Sequence, residues 1–125
     1  MEGSNLAREM DMRASLGQIW QEITELPRNQ RVALLLNLRD HIGDSALRLF
    51  PALGIASIRH VAQVLELDAL ELASMWSKLP LEDLDLAEML GLSRQQVINL
   101  RKSARQRLAR RARPAEQKTS TQAAR

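Results

Sequence analysis

Arg94, Gln95, Asn99, Lys102, Arg105 and Gln106 recur at spacings that bring them onto one face of a helix. Measured at 100° per residue from Val97, the opposite arc holds Val97, Leu100, Ala104 and Leu108, an apolar stripe fit for burial. The polar side chains have a definite chemistry available to them. An amide bonds adenine through two contacts in the major groove of DNA, and an arginine does the same for guanine. In a recognition helix the first residues reach base edges, while residues further along meet phosphate. Base reading is therefore expected from Arg94, Gln95 and Asn99, with Gln96 and Ile98 as weaker candidates. Phosphate contact is expected from Arg101, Lys102, Arg105 and Arg107. The bland alternative is a helical hairpin with a solvated polar face.

The residues in front of this helix suit a helix-turn-helix. Gly91 stands where the turn needs positive φ, and Ala87, four residues earlier, lets the two helices approach. Leu86, Leu90, Leu92, Val97 and Leu100 have the spacing of a wedge between two helices. Ser93 can cap the second helix, with Gln96 three residues on completing a capping box. The motif is expected over residues 81–112.

Charge is divided along the chain. Residues 1–93 carry eight Lys/Arg and fourteen Asp/Glu, a net −6; residues 94–125 carry ten Lys/Arg and one acid, a net +9. The overall +3 thus hides a dipolar molecule whose positive pole would attract a polyanion, with affinity falling as salt rises. Aromatic residues make up only 2% of the chain, which disfavours stacking platforms for single strands and points to duplex DNA. There is no cysteine, so no disulfide framework or thiolate metal site can form. His41 and His60 are isolated, and Asp83 and Asp85 suit the positive end of a helix better than catalysis. No nucleophile triad, phosphate loop or metal cluster is discernible, so neither enzymatic activity nor a cofactor is expected. No apolar run reaches membrane-spanning length and no signal-peptide core is seen, so the expected location is the cytoplasm, with no membrane partner.

The remaining chain reads as helical throughout, with no strand pattern. An amphipathic helix is expected from about residue 12 to 26, carrying Leu16, Ile19, Trp20, Ile23 and Leu26. A second should begin at Pro27 and run to Ile42, ended by Gly43. Val32, Leu35, Leu36 and Ile42 are its candidates for burial. Asp44 is expected to cap a short helix through Phe50, broken by Pro51 and Gly54. Helices at 57–66 and 68–78 follow, capped by Ser57 and by an Asp68/Glu71 pair. The fold class is thus all-α, six to seven helices in a domain over 1–113, with a disordered basic tail over 114–125.

An internal repeat runs through the second half at an offset of 25 residues. It pairs Ala62 with Ala87, Leu65 with Leu90, Leu67 with Leu92, Asp68 with Ser93, Leu72 with Val97 and Met75 with Leu100. Glu66 takes the place of Gly91, where substitution is expected to be mild because a non-glycine residue already stands there. The segment ALELASMW that replaces the basic helix has no positive charge, which suits packing or protein contact rather than DNA.

The stretch LPLEDLDLAEMLGLSRQQVINLRKSARQRLARR resembles region four of bacterial sigma factors, which reads the −35 promoter element; LPRNQRVALLLNL resembles the helix leading into it. The resemblance covers somewhat under half the chain. It implies a region four-like fold with inserted helices, base contacts from the positions of Arg94, Gln95 and Asn99, and docking on the β-subunit flap of RNA polymerase. Two departures stand out. Roughly forty residues, from about His41 to Lys78, intervene where a short linker is usual, and the aromatic-rich promoter-melting region is absent from this chain. A fragment of a sigma factor and a free-standing protein sharing one region both remain open. The expected function is sequence-specific binding of duplex DNA at a promoter-like element in transcription initiation or its regulation. The alternative is a sigma-like module that binds RNA polymerase or an anti-sigma factor.

Overall fold

One short helix, buried on nearly every side, organises the molecule. The computed structural model describes residues 2–112, which form seven α-helices and no strand. They are α1 (Glu2–Thr24), α2 (Arg28–Leu35), α3 (Leu49–Ala52), α4 (Ile58–Leu65), α5 (Ala69–Trp76), α6 (Asp83–Leu90) and α7 (Arg94–Ala112). Val32, Ala33, Leu34, Leu35 and Leu36 are consecutive and all buried. An apolar surface all round is what a central helix requires. α2 packs against α7 on one side and α4 on the other, so it is the spine shared by two helix pairs. Trp20 of α1 closes the core, with its ring centroid 4.8 Å from Phe50 and 5.6 Å from His60, the latter edge-on.

Both pairs share one local construction. Ala62 and Ala87 are buried at matched places, as are Val61 and Leu86, and Leu72 and Val97. At each turn the chain enters the left-handed region, at Glu66 (φ 56°) and at Gly91 (φ 67°). The Leu67 amide then donates to Ala62 O at 3.0 Å, and the Leu92 amide to Ala87 O at 2.9 Å, closing the same helix terminus twice. Each following helix opens on a reciprocal cap. The Glu71 amide donates to Asp68 Oδ1 (2.9 Å) and the Asp68 amide to Glu71 Oε1 (3.2 Å). Correspondingly, the Gln96 amide donates to Ser93 Oγ (3.1 Å) and the Ser93 amide to Gln96 Oε1 (2.8 Å). Ser57 caps α4 by accepting from the His60 amide at 3.0 Å. The repeat in the sequence is therefore a repeat of backbone geometry, with Glu66 as strained as its counterpart is relaxed.

Arg31 braces the turn at Glu66. The Arg31 guanidinium donates to Val64 O (2.8 Å), to Leu26 O (2.8 Å) and to Glu66 Oε2 (2.7 Å). Arg28 adds a bond from Nε to Leu65 O at 3.3 Å, so α2 grips the end of α4 from two arginines. Glu66 is thus a left-handed residue that is not glycine.

Three boundaries depart from expectation. α1 begins at Glu2, well before residue 12, and its early turns expose Leu6, Met10 and Met12. α2 ends at Leu35 instead of reaching Ile42. There the Asp40 side chain accepts from the amides of Ile42 and Asp44, both at 3.0 Å, and Gly43 turns at φ 92°. A side chain that satisfies the local backbone this way competes directly with helix continuation. Ile42, a candidate for burial, is 70% exposed as a result. The helix expected from Asp44 to Phe50 is replaced by a loop with an Arg39–Ser45 bridge and by α3, which contains Pro51 instead of stopping before it. The tail expected to be disordered, 114–125, lies outside the described residues. Among the described residues no helix is long and apolar enough to cross a membrane.

Candidate nucleic-acid interface

α6 and α7 hold their relative angle through apolar and ionic contacts. Leu86 and Ala87 of α6 are buried against the molecule's interior, as are Val97 and Ala104 of α7. Leu100 and Leu108 extend the stripe as partly buried side chains. An apolar stripe this narrow leaves the rest of the α7 circumference to solvent. The exposed residues are Arg94, Gln95, Gln96, Asn99, Lys102, Arg105, Gln106, Arg107, Ala109 and Arg110, and Ile98 is half-buried among them. Ile98, Lys102, Arg105 and Gln106 line a shallow concavity along this face, together with Arg101 and Ala109.

Most site residues expected from the sequence are thus presented together, and two are placed differently. Arg101, expected among the phosphate contacts, turns inward: its Nη2 pairs with Asp83 of α6, and its Nη1 reaches Ala33 O of α2 at 3.4 Å. Only 12% of the Arg101 side chain is exposed, and 20% of the Asp83 side chain. The wheel explains this, because Arg101 lies about 40° from Val97, on the buried side of the arc. Gln96, a weaker candidate for base reading, already has its Oε1 engaged by the Ser93 amide. Arg94, Gln95, Asn99, Ile98, Lys102, Arg105 and Arg107 keep the outward placement.

Two features of this surface went unread. Gln95 Nε2 donates to Asn99 Oδ1 at 3.1 Å, joining the two central amides across one helical turn. Their i, i+4 spacing carried that signal. Arg111, near the end of α7, pairs with Glu22 of α1 and with Glu25 just beyond it, both at 3.1 Å. The hydrogen bonds it donates, first to Glu22 and then to Glu25, raise its pKa above the ordinary arginine value. Partners nearly ninety residues away in sequence left no local trace.

Comparison with known protein families, with curated proteins and with solved structures finds no match. The reading of the site therefore stands on its own geometry. Among the described residues, no ion pair engages Arg94, Lys102, Arg105, Arg107 or Arg110. These five cations share α7 with four exposed amides (Gln95, Gln96, Asn99 and Gln106) and one half-buried isoleucine, on a helix of 19 residues held by a cap and a core stripe. A rigid basic helix of this kind can enter a major groove, present amides to base edges and place guanidinium groups beside phosphates. The same face offers no carboxylate, thiol or imidazole for bond making, and no described group of His, Cys, Asp and Glu could hold a metal ion.

The equivalent face of the first pair has different chemistry. At the places of Arg94, Gln95, Asn99 and Lys102, α5 and the residue after it carry Ala69, Leu70, Ser74 and Ser77. Leu70 is 82% exposed. Asp68 and Glu71 flank it with negative charge, and neither a base edge nor a phosphate would be drawn to that surface.

Proposed function

We propose that this protein binds duplex DNA through α7 at a promoter-like element of the −35 kind, in bacterial transcription initiation or its regulation, alongside RNA polymerase. The observation that carries the reading is the outward face of α7, where Gln95 and Asn99 stand among Arg94, Lys102 and Arg105, none of these cations taken up by an ion pair among the described residues. Phosphate contacts supply affinity and set the register, and the amides supply discrimination. The net +9 of residues 94–125, against −6 for the rest, orients the molecule toward the polyanion during encounter. The promoter context rests on the resemblance to sigma region four, as does docking on the polymerase β flap.

The test is a salt titration of full-chain affinity for duplex DNA. Three phosphate contacts, from Lys102, Arg105 and Arg107, give a slope of about −3 in log affinity against log salt. A titration flat between low and moderate salt refutes the reading.

One observation favours a second reading, a sigma-like module that binds RNA polymerase or an anti-sigma factor. It is the α4–α5 pair, which keeps the helix-turn-helix backbone and replaces its reading residues by Ala69, Leu70 and Ser74. That surface is suited to protein contact, and it leaves the α7 face unoccupied.

A further inference from the structure

We infer that the start of α7 selects an A·T base pair, with Gln95 and Asn99 acting as one donor–acceptor unit toward adenine and Ile98 covering the methyl of a thymine in the same step. This rests on α7 entering the major groove. The Gln95–Asn99 hydrogen bond consumes one donor and one acceptor of the two amides. What remains is the Gln95 carbonyl oxygen with one N–H, and the two N–H groups of Asn99 with one lone pair of its oxygen; both side chains are exposed, so the pair can offer the Gln95 oxygen and an Asn99 N–H together. Adenine presents its complement: the N6 amino group donates and N7 accepts, side by side on the groove edge. Guanine presents two acceptors there, N7 and O6, and would leave the Gln95 oxygen without a donor. Cytosine offers a single donor. If both amides rotate by half a turn, Asn99 becomes the donor within the pair and Gln95 presents the outward N–H groups. The free surface again holds one acceptor beside donors, so the preference for adenine does not depend on which orientation holds.

The internal bond also bears on affinity. Two free amides would each lose rotamer freedom on binding, whereas an interlocked pair has already lost part of it. Ile98 completes the surface. It is half-buried at the edge of the concavity it shares with Lys102 and Arg105, and thymine's C5 methyl is the apolar group that the major groove offers to such a side chain. The first helix pair cannot make this unit, because Leu70 and Ser74 stand at the corresponding positions.

The experiment uses the full chain. In vitro selection identifies a preferred duplex, and fluorescence anisotropy then measures binding to that duplex with 7-deazaadenine replacing adenine, or uracil replacing thymine, one position at a time. The expected result is a preferred motif containing an A·T pair at which loss of N7 lowers affinity about tenfold. Gln95→Ala and Asn99→Ala should each lose about tenfold at that same pair, and the double variant should lose scarcely more, since either change dissolves the unit. Both variants should become indifferent to 7-deazaadenine. Removing a thymine methyl should weaken the wild type roughly threefold and leave Ile98→Ala unaffected. Ile98→Val serves as a milder second variant, and circular dichroism reports whether the fold is retained. Additive losses at two separate base pairs, a G·C pair at the amide position, or wild-type indifference to 7-deazaadenine would overturn the inference. Salt-dependent duplex binding without any sequence preference also overturns it, yet leaves the DNA reading standing. A flat salt titration removes both.

Discussion

Replacing Arg101 by alanine separates a cation that positions α7 from the cations that meet DNA. The wild-type Arg101 side chain is 12% exposed, that of its Asp83 partner 20%, and a second guanidinium nitrogen reaches the carbonyl of Ala33. Fully exposed ion pairs contribute about 0.2–1 kcal/mol, and breaking a buried one by removing a single partner costs about 3–5 kcal/mol. The Arg101–Asp83 pair lies between these limits. Asp83 is also the first residue of α6, so the helix N-terminus partly stabilises its charge once Arg101 is gone. The expected loss of stability for Arg101→Ala is therefore about 2 kcal/mol, or roughly 8 °C in melting temperature for a chain of this size. Asp83→Ala should cost a similar amount, and the double variant clearly less than the sum of the singles. Urea titration followed by circular dichroism measures all three. DNA binding, measured below the melting transition, should retain the wild-type salt slope in Arg101→Ala. Lys102→Ala and Arg105→Ala should instead make that slope shallower by about 0.9 each while leaving the urea midpoint unchanged. An Arg101→Ala protein as stable as wild type, with the slope reduced by about 0.9, would show that Arg101 meets phosphate and that the Asp83 pair is incidental.

Three further outcomes follow from the two helix pairs. Gly91→Val should cost about 2 kcal/mol through backbone strain alone, since a Cβ there meets no neighbouring atom, whereas Glu66→Val should cost about 1 kcal/mol, because Glu66 already bears the left-handed strain and the change adds only β-branching and the loss of Arg31; a Gly91→Val protein with the wild-type urea midpoint would refute the left-handed turn. Ala87→Leu and Ala62→Leu should each destabilise by about 1–3 kcal/mol, because both alanines are buried at helix crossings and extra methylenes must displace the core. Leu70→Glu should stay within about 0.5 kcal/mol of wild type and leave DNA affinity intact; a pull-down with purified RNA polymerase then tests the protein-interaction reading, which is lost if Leu70→Glu binds as wild type does.

What the sequence revealed was local chemistry. Ser57, Asp68 with Glu71, and Ser93 with Gln96 announce their helices because each cap is completed within three residues. Gly91 announces its turn because glycine is the residue that enters the left-handed region without strain. Glu66 gave no such sign, since what holds it lies 35 residues upstream in Arg31. The premature end of α2 was hidden for a related reason: an apolar and charged run that continues the helical period was outweighed by the bonds Asp40 makes to Ile42 and Asp44. At the candidate site, the outward placement of Gln95 and Asn99 follows from the wheel. The inward side of Arg101, about 40° from Val97, was equally on the wheel, but its partners Asp83 and the Ala33 carbonyl lie in other helices and leave no local pattern.

The two pairs together separate scaffold from site. Turn geometry, buried alanine, reciprocal cap and apolar anchor are the same in α4–α5 and α6–α7, so the backbone alone cannot be what would make one of them bind DNA. The difference lies in side chains that the fold does not need. Ala69, Leu70, Ser74 and Ser77 could be exchanged for Arg94, Gln95, Asn99 and Lys102 without disturbing a core contact, because the first three are exposed in both settings and the fourth lies just beyond α5. Length also separates them: α5 stops after 8 residues, whereas α7 runs for 19 and carries its cations past the core stripe. That extension is anchored at its far end by Arg111 on Glu22 and Glu25, so α1 restrains the basic helix where α6 no longer supports it. A helix held at both ends keeps its reading residues at a fixed depth, which is the condition for amides to discriminate between base edges instead of merely approaching them.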